Sequence, residues 1–189
     1  MCNLEIMERK LKKILSVQRW EHSVRVKEEA VKLAKKLGAD VAKAAVAGLL
    51  HDCARDMGYR ELLIKAKEFG IIIDNVTLNS PSIIHAVVGP GIASREFGVT
   101  DPDILNAIRY HTTGRENMSI LEKIIFLADI VEPFRKFPGV HRIRETIDES
   151  LEQAILLALD GTINYLVNKK QLIHVDTLKA RNYLLMTGQ

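Results

Sequence analysis

Only two cysteines, Cys2 and Cys53, occur in the chain, too few for the disulfide framework of a small secreted domain. No apolar run approaches the roughly 20 residues of a transmembrane helix. The N-terminal stretch Met1–Lys13 alternates charged with apolar residues and lacks the apolar core of a signal peptide. Neither sign of charge dominates, with 27 Lys and Arg against 24 Asp and Glu. The resulting +3 suits an anionic small molecule but makes no basic stripe of the kind nucleic-acid binders carry. Internal repeats, low-complexity segments and linkers are also missing. These absences argue against a membrane or nucleic-acid partner and predict a cytoplasmic protein. A homodimer stays open.

What is present is ordinary soluble-protein composition, 47% hydrophobic and 27% charged, in 189 residues, enough for one well-buried core. Apolar periodicity is helical almost throughout. Leu4, Met7, Leu11, Ile14 and Leu15 mark a first helix, and a second runs over about 18–37, closed by Gly38. Asp40 caps a third, predicted over 41–54, and 59–69 is a fourth, stopped by Gly70. Ile71-Ile72-Ile73 reads as a loop packed on the core. A helix over 82–97 is expected to kink or break at Gly89-Pro90-Gly91. Asp101-Pro102 opens a helix ending near His111. Ser119 and Glu122 have capping-box spacing for a helix closed by Glu132-Pro133. A long helix over about 144–168 and a last one over 177–186, capped by Asp176, complete an all-α fold. The expectation is a single domain over 1–189, with a core at about 17–135 and a C-terminal helical extension at about 143–186 packed on it.

The chemistry concentrates at Gly48-Leu49-Leu50-His51-Asp52-Cys53-Ala54, where an apolar helix runs into adjacent ionisable groups. Such groups are costly beside buried leucines unless paired or metal-bound. A core His beside a solvated Asp is the plain alternative. His22, His85 and His111 also lie on helices or at their ends, and Asp129 closes the apolar run Ile124–Ala128 much as Asp52 closes its own. Taken singly, each of these has an ordinary explanation as a surface residue, a helix-end residue or a solvated acid. Imidazole nitrogens with carboxylate oxygens suit iron, manganese, zinc or nickel better than calcium.

The order His22 … His51-Asp52 … Asp129 resembles the HD-domain superfamily of metal-dependent phosphohydrolases. His85 and His111 match its variant with a second metal. Arg19–Ser23, His85–Gly89, Tyr110–Gly114, Met118–Lys123, Leu127–Pro133, Phe137–Val140 and Leu172–His174, with Thr177 and Arg181-Asn182, narrow the match to the YqeK-like branch, over about 17–185. That branch contains bis(5′-nucleosyl)-tetraphosphatases that cut diadenosine tetraphosphate symmetrically. The resemblance implies an all-α HD-domain hydrolase holding two divalent ions, with iron as the metal. His22, His51 and Asp129 would hold one ion, His85 and His111 the other, and Asp52 would bridge. A hydroxide between the ions would attack a phosphorus of the polyphosphate chain and release two ADP.

Arg55 stands where the family usually has Lys, three residues after Asp52. It can stabilise charge but cannot donate a proton at ordinary pH. Asp52 and Arg55 are therefore the catalytic candidates. Arg19 and Arg135 are favoured for phosphate contact over Arg109, Arg115 and Lys123. Thr112, Thr113 and Gly114 offer hydroxyls and backbone N–H groups beside His111. Leu172, Ile173 and His174 are expected in a nucleoside-recognition or closing segment. Cys53 reads as an apolar packing residue, and His141 has no assigned role. The alternatives are an HD-type nucleotidase or phosphodiesterase acting on another nucleotide, and a non-catalytic nucleotide-binding regulator.

Overall fold

The computed structural model describes residues 4–188; Cys2 lies outside them. The described residues form helices joined by short turns, with no strand among them. In chain order these are α1 (Leu4–Ile14), α2 (Val17–Leu37), α3 (Val41–Leu50), α4 (Tyr59–Glu68), α5 (Asn75–Leu78), α6 (Pro81–Phe97), α7 (Pro102–Tyr110), α8 (Ile120–Val131), α9 (Val140–Glu149), α10 (Leu151–Asn168) and α11 (Val175–Thr187). None is long and apolar enough to cross a membrane.

Local chemistry sets most boundaries. Ser16, Asp40, Asp101 and Ser119 accept backbone N–H groups at the starts of α2, α3, α7 and α8, and Ser119 with Glu122 completes a capping box. Gly38, at φ 66°, ends α2 in the left-handed region. The two nearly all-apolar helices, α3 and α8, lie in the interior, with α2 packed on both and α7 joining them from the other side. Gly48 makes the α2–α3 approach close, since a Cβ there would sit 2.9 Å from the Lys27 Cα and 3.1 Å from the Ala30 Cβ.

Four elements depart from the sequence expectation. The third helix ends at Leu50 rather than Ala54, because residues 51–57 tighten into i→i+3 turns, as in Cys53 N to Leu50 O at 3.0 Å and Arg55 N to Asp52 O at 2.9 Å. The sixth, expected to kink or break at Pro90, does not break there and runs on to Phe97. Gly89 and Gly91 let Ile108 and the Phe69 ring press against it, and that packing outweighs one missing backbone donor. The expected long helix over 144–168 is two helices, α9 and α10. They break at Ser150, which is extended (φ −157°) and caps α10 through Gln153 N. The last helix is capped by His174, whose side chain accepts from Asp176 N, not by Asp176. The short α5, capped by Asp74, follows a loop in which Ile71 and Ile73 pack on the core.

Candidate metal centre

Five helices deliver the six side chains to one buried point. His22 lies on α2, His51 caps the end of α3, Asp52 follows in the turn, His85 is near the start of α6, His111 caps the end of α7, and Asp129 is in the last turn of α8. The His22 and His51 Nε2 atoms are 3.3 Å apart, as are those of His85 and His111. Asp129 Oδ1 is 3.0 Å from His22 Nε2 and 3.9 Å from His51 Nε2. Asp52 faces both groups. Its Oδ2 lies 3.5 Å from His51 and 3.8 Å from His22, and its Oδ1 lies 2.9 Å from His85 and 3.6 Å from His111.

Hydrogen bonds behind the rings decide what they offer. His51 Nδ1 donates to Gly48 O and His111 Nδ1 to Ile108 O, each at 2.8 Å. A carbonyl only accepts, so the neutral form of each ring carries its lone pair on Nε2, aimed inward. His22 Nδ1 is held the same way by Glu132 Oε1 at 3.2 Å. His85 differs: the Arg55 guanidinium donates to its Nδ1 at 2.9 Å and to Ser82 O at 2.8 Å. The neutral His85 ring then carries its proton on Nε2, toward Asp52. To ligate through Nε2 it must shift that proton to Nδ1, and Arg55 must turn aside.

Divalent ions fit this donor set. His22, His51 and Asp129, and separately His51, Asp52 and His111, each bring ligand atoms within 4.8 Å of one another in the interior. Neutral imidazoles and carboxylates at such spacing suit a transition metal. Electrostatics agree. Burial alone would raise the pKa of Asp52, but the facing His51, His111 and His85 hold it well below the ordinary carboxylate range. Burial works against Asp129 too, and His22, Arg135 and His51 again win, lowering it. Burial would lower His51, yet Asp52 and Asp129 outweigh it and raise its pKa. His85 is pushed down to about 4, by burial first and by His111 and Arg55 besides. Cys53 is pushed up to about 12 by burial, so its thiol stays protonated.

Cations ring the site. Arg19 Nη1 lies 2.6 Å from Asp52 Oδ2. Arg135 bonds the Asp129 carboxylate and, through Nε, its backbone oxygen at 2.8 Å. Arg115 and Lys123 are instead tied to Glu122 and Glu152. Glu132 is the residue that sequence reasoning treated only as a helix end. It is buried, and its Oε2 accepts from Arg25 Nε and Phe134 N, both at 2.8 Å, while Oε1 orients His22. The signal available for it was an acid one helical turn beyond Asp129.

Beside the His85–His111 end lies a cleft of about 460 Å³, lined by residues including Ser82, Thr112, Thr113, Leu172 and His174. Thr112 Oγ1 and, on the preceding helix, Arg109 Nη1 are buried without a hydrogen-bond partner. Gly114 and Ile173 do not line the cleft. Gly114, at φ +64°, is packed against Ala180 and Met118. His174 Nε2 reaches Asp74 Oδ2 at 3.2 Å, fastening the start of α11 to the segment before α6.

Comparison with known proteins agrees with this geometry. Residues 19–133 match the HD domain model. The symmetrical bis(5′-nucleosyl)-tetraphosphatase of Halalkalibacterium halodurans is 43% identical over 174 residues, 91% of each chain. That of Bacillus subtilis is 38% identical over 178 residues, 93% of this chain and 94% of its own. The crystal structure of a predicted HD superfamily hydrolase involved in NAD metabolism from Clostridium acetobutylicum superimposes with a TM-score of 0.95 at 38% identity, over 98% of both chains. The chain belongs to the HD-domain family, in the branch whose members carry the name symmetrical bis(5′-nucleosyl)-tetraphosphatase.

Proposed function

We propose that this protein is a metal-dependent hydrolase that cleaves diadenosine tetraphosphate symmetrically into two molecules of ADP. The observation that carries the reading is Asp52, whose two oxygens face two separate histidine groups in a buried pocket, in a chain whose relatives bear that enzyme's name. His22, His51 and Asp129 would hold one ion, His85 and His111 the second, with Asp52 between. Iron is the metal the reading favours, and manganese, zinc or nickel meet the same donors. When bound, such a pair supplies a water of lowered pKa and offsets charge on the phosphoryl oxygens.

The chain's own residues do the rest. Arg19 and Arg135 stand beside the ligand carboxylates, where guanidinium groups can grip non-bridging phosphate oxygens bidentately. Arg55 adds positive charge on the His85 side of the site and supplies no proton. The cleft beside His111 would take one nucleoside, and the unpartnered Thr112 hydroxyl that lines it is the donor that favours it. Product analysis tests the assignment. ADP alone supports it, AMP plus ATP refutes symmetrical cleavage, and inorganic phosphate released from nucleoside monophosphates makes the protein a nucleotidase instead.

A further inference from the structure

Cutting a dinucleoside tetraphosphate at its centre sends the two halves of the substrate away from the metals in opposite directions. The cleft lined by Thr112 and Leu172 serves only the His85–His111 flank. On the His22–Asp129 flank, Phe134 is 68% exposed although the loop carrying it is firmly held. Its backbone N–H donates at 2.8 Å to Glu132, the buried carboxylate that also holds His22. Arg144, on α9, donates to the backbone oxygens of Val131, Glu132 and Arg135 at 3.0, 2.8 and 3.2 Å. The Arg25 guanidinium covers one face of the Phe134 ring, 4.4 Å from its centroid, and is itself fixed by Glu132. The next residue, Arg135, bonds the Asp129 carboxylate.

A large apolar ring presented to water by a braced loop, beside a metal ligand and a phosphate-seeking arginine, is built to receive a flat partner. We infer that Phe134 is the stacking platform for the second purine of a dinucleoside polyphosphate, with Arg135 gripping the phosphates that lead to it. This rests on the nucleotide reading above. It adds that selection of two-base over one-base polyphosphates resides at Phe134. Arg25 beneath the ring completes a guanidinium–ring–purine stack.

Calorimetry on the manganese-loaded protein tests this without turnover, using diadenosine tetraphosphate with a methylene group in place of the central bridging oxygen, against the adenosine tetraphosphate analogue with the same substitution. The wild type is expected to prefer the two-base ligand. Phe134→Ala should weaken that ligand by about 5- to 150-fold, the value of one base–aromatic stack. Its one-base affinity should stay unchanged, and Phe134→Trp should restore the preference. Equal affinity of the wild type for both ligands, or a preference that survives in Phe134→Ala, overturns the inference. Failure of the wild type to bind either ligand overturns the nucleotide reading itself, and this inference with it.

Discussion

Replacing Glu132 by Gln is nearly isosteric, yet it forces a choice the site cannot make cheaply. The carboxylate accepts three donors: His22 Nδ1 at 3.2 Å, Arg25 Nε at 2.8 Å and Phe134 N at 2.8 Å. Those donors are also what hold its pKa below the ordinary value against burial. An amide has only one accepting end. If its oxygen faces His22, its NH₂ group meets the Arg25 and Phe134 donors, and two polar groups lose partners at about 1–3 kcal/mol each. If its NH₂ faces His22, Nδ1 must accept, the ring proton moves to Nε2, and the lone pair aimed at Asp129 is lost. Removal of such a supporting partner typically weakens metal binding by about 10–100-fold, or about 1.4–2.7 kcal/mol. Competition with a chromophoric chelator measures that affinity, and thermal denaturation in excess chelator measures the cost to the fold. Arg25→Met is the control, destabilising the loop while leaving His22 its acceptor and its metal affinity intact. Glu132→Gln with wild-type metal affinity would refute the orienting role assigned to this carboxylate.

Further consequences follow from the same geometry. Because Asp52 and Asp129 raise the pKa of His51, metal must displace a proton there. Affinity should therefore climb as pH rises through and above 6.5, with proton release seen as a dependence of the calorimetric enthalpy on buffer ionisation; no proton release contradicts it. Gly48→Ala places a methyl group against the Lys27 backbone, at about 1–3 kcal/mol for overpacking. It should lower Tm by several degrees and reduce metal content, since His51 lies three residues on; unchanged metal content would show that α3 can shift without moving the ligand. Arg55→Met frees His85 Nδ1 and removes a positive charge. Metal content should hold at the wild-type level, while turnover of diadenosine tetraphosphate falls about 100-fold or more, as for other single donors to developing charge; loss of metal instead would make Arg55 a structural support.

Legibility in the sequence followed the range of the forces involved. Capping by Asp40, Asp101 and Ser119 and termination by Gly38 are contests within one turn, so the residues themselves announce them. The helix does not break at Pro90 because the local cost is offset by Phe69 and Ile108, distant in sequence and close in space. Ser150 carries its own signal, since Ser150 and Gln153 have the same capping spacing as Ser119 and Glu122, but the strongly helical stretches on either side mask it. The six ligand residues were visible as chemistry, but their convergence was not, since five helices must first pack. The recurring order of His, His-Asp and Asp is what made it readable. Glu132 ligates nothing in this scheme, and beyond its place one helical turn after Asp129 its role emerges only when α2 packs on α8 and brings His22 to it.

Anomalous diffraction from crystals of the metal-loaded protein tests the central claim most directly. Two peaks are predicted, one among His22, His51 and Asp129 and one against His85 and His111, with one Asp52 oxygen turned to each. A single peak, or two peaks with Asp52 on only one of them, would contradict the account.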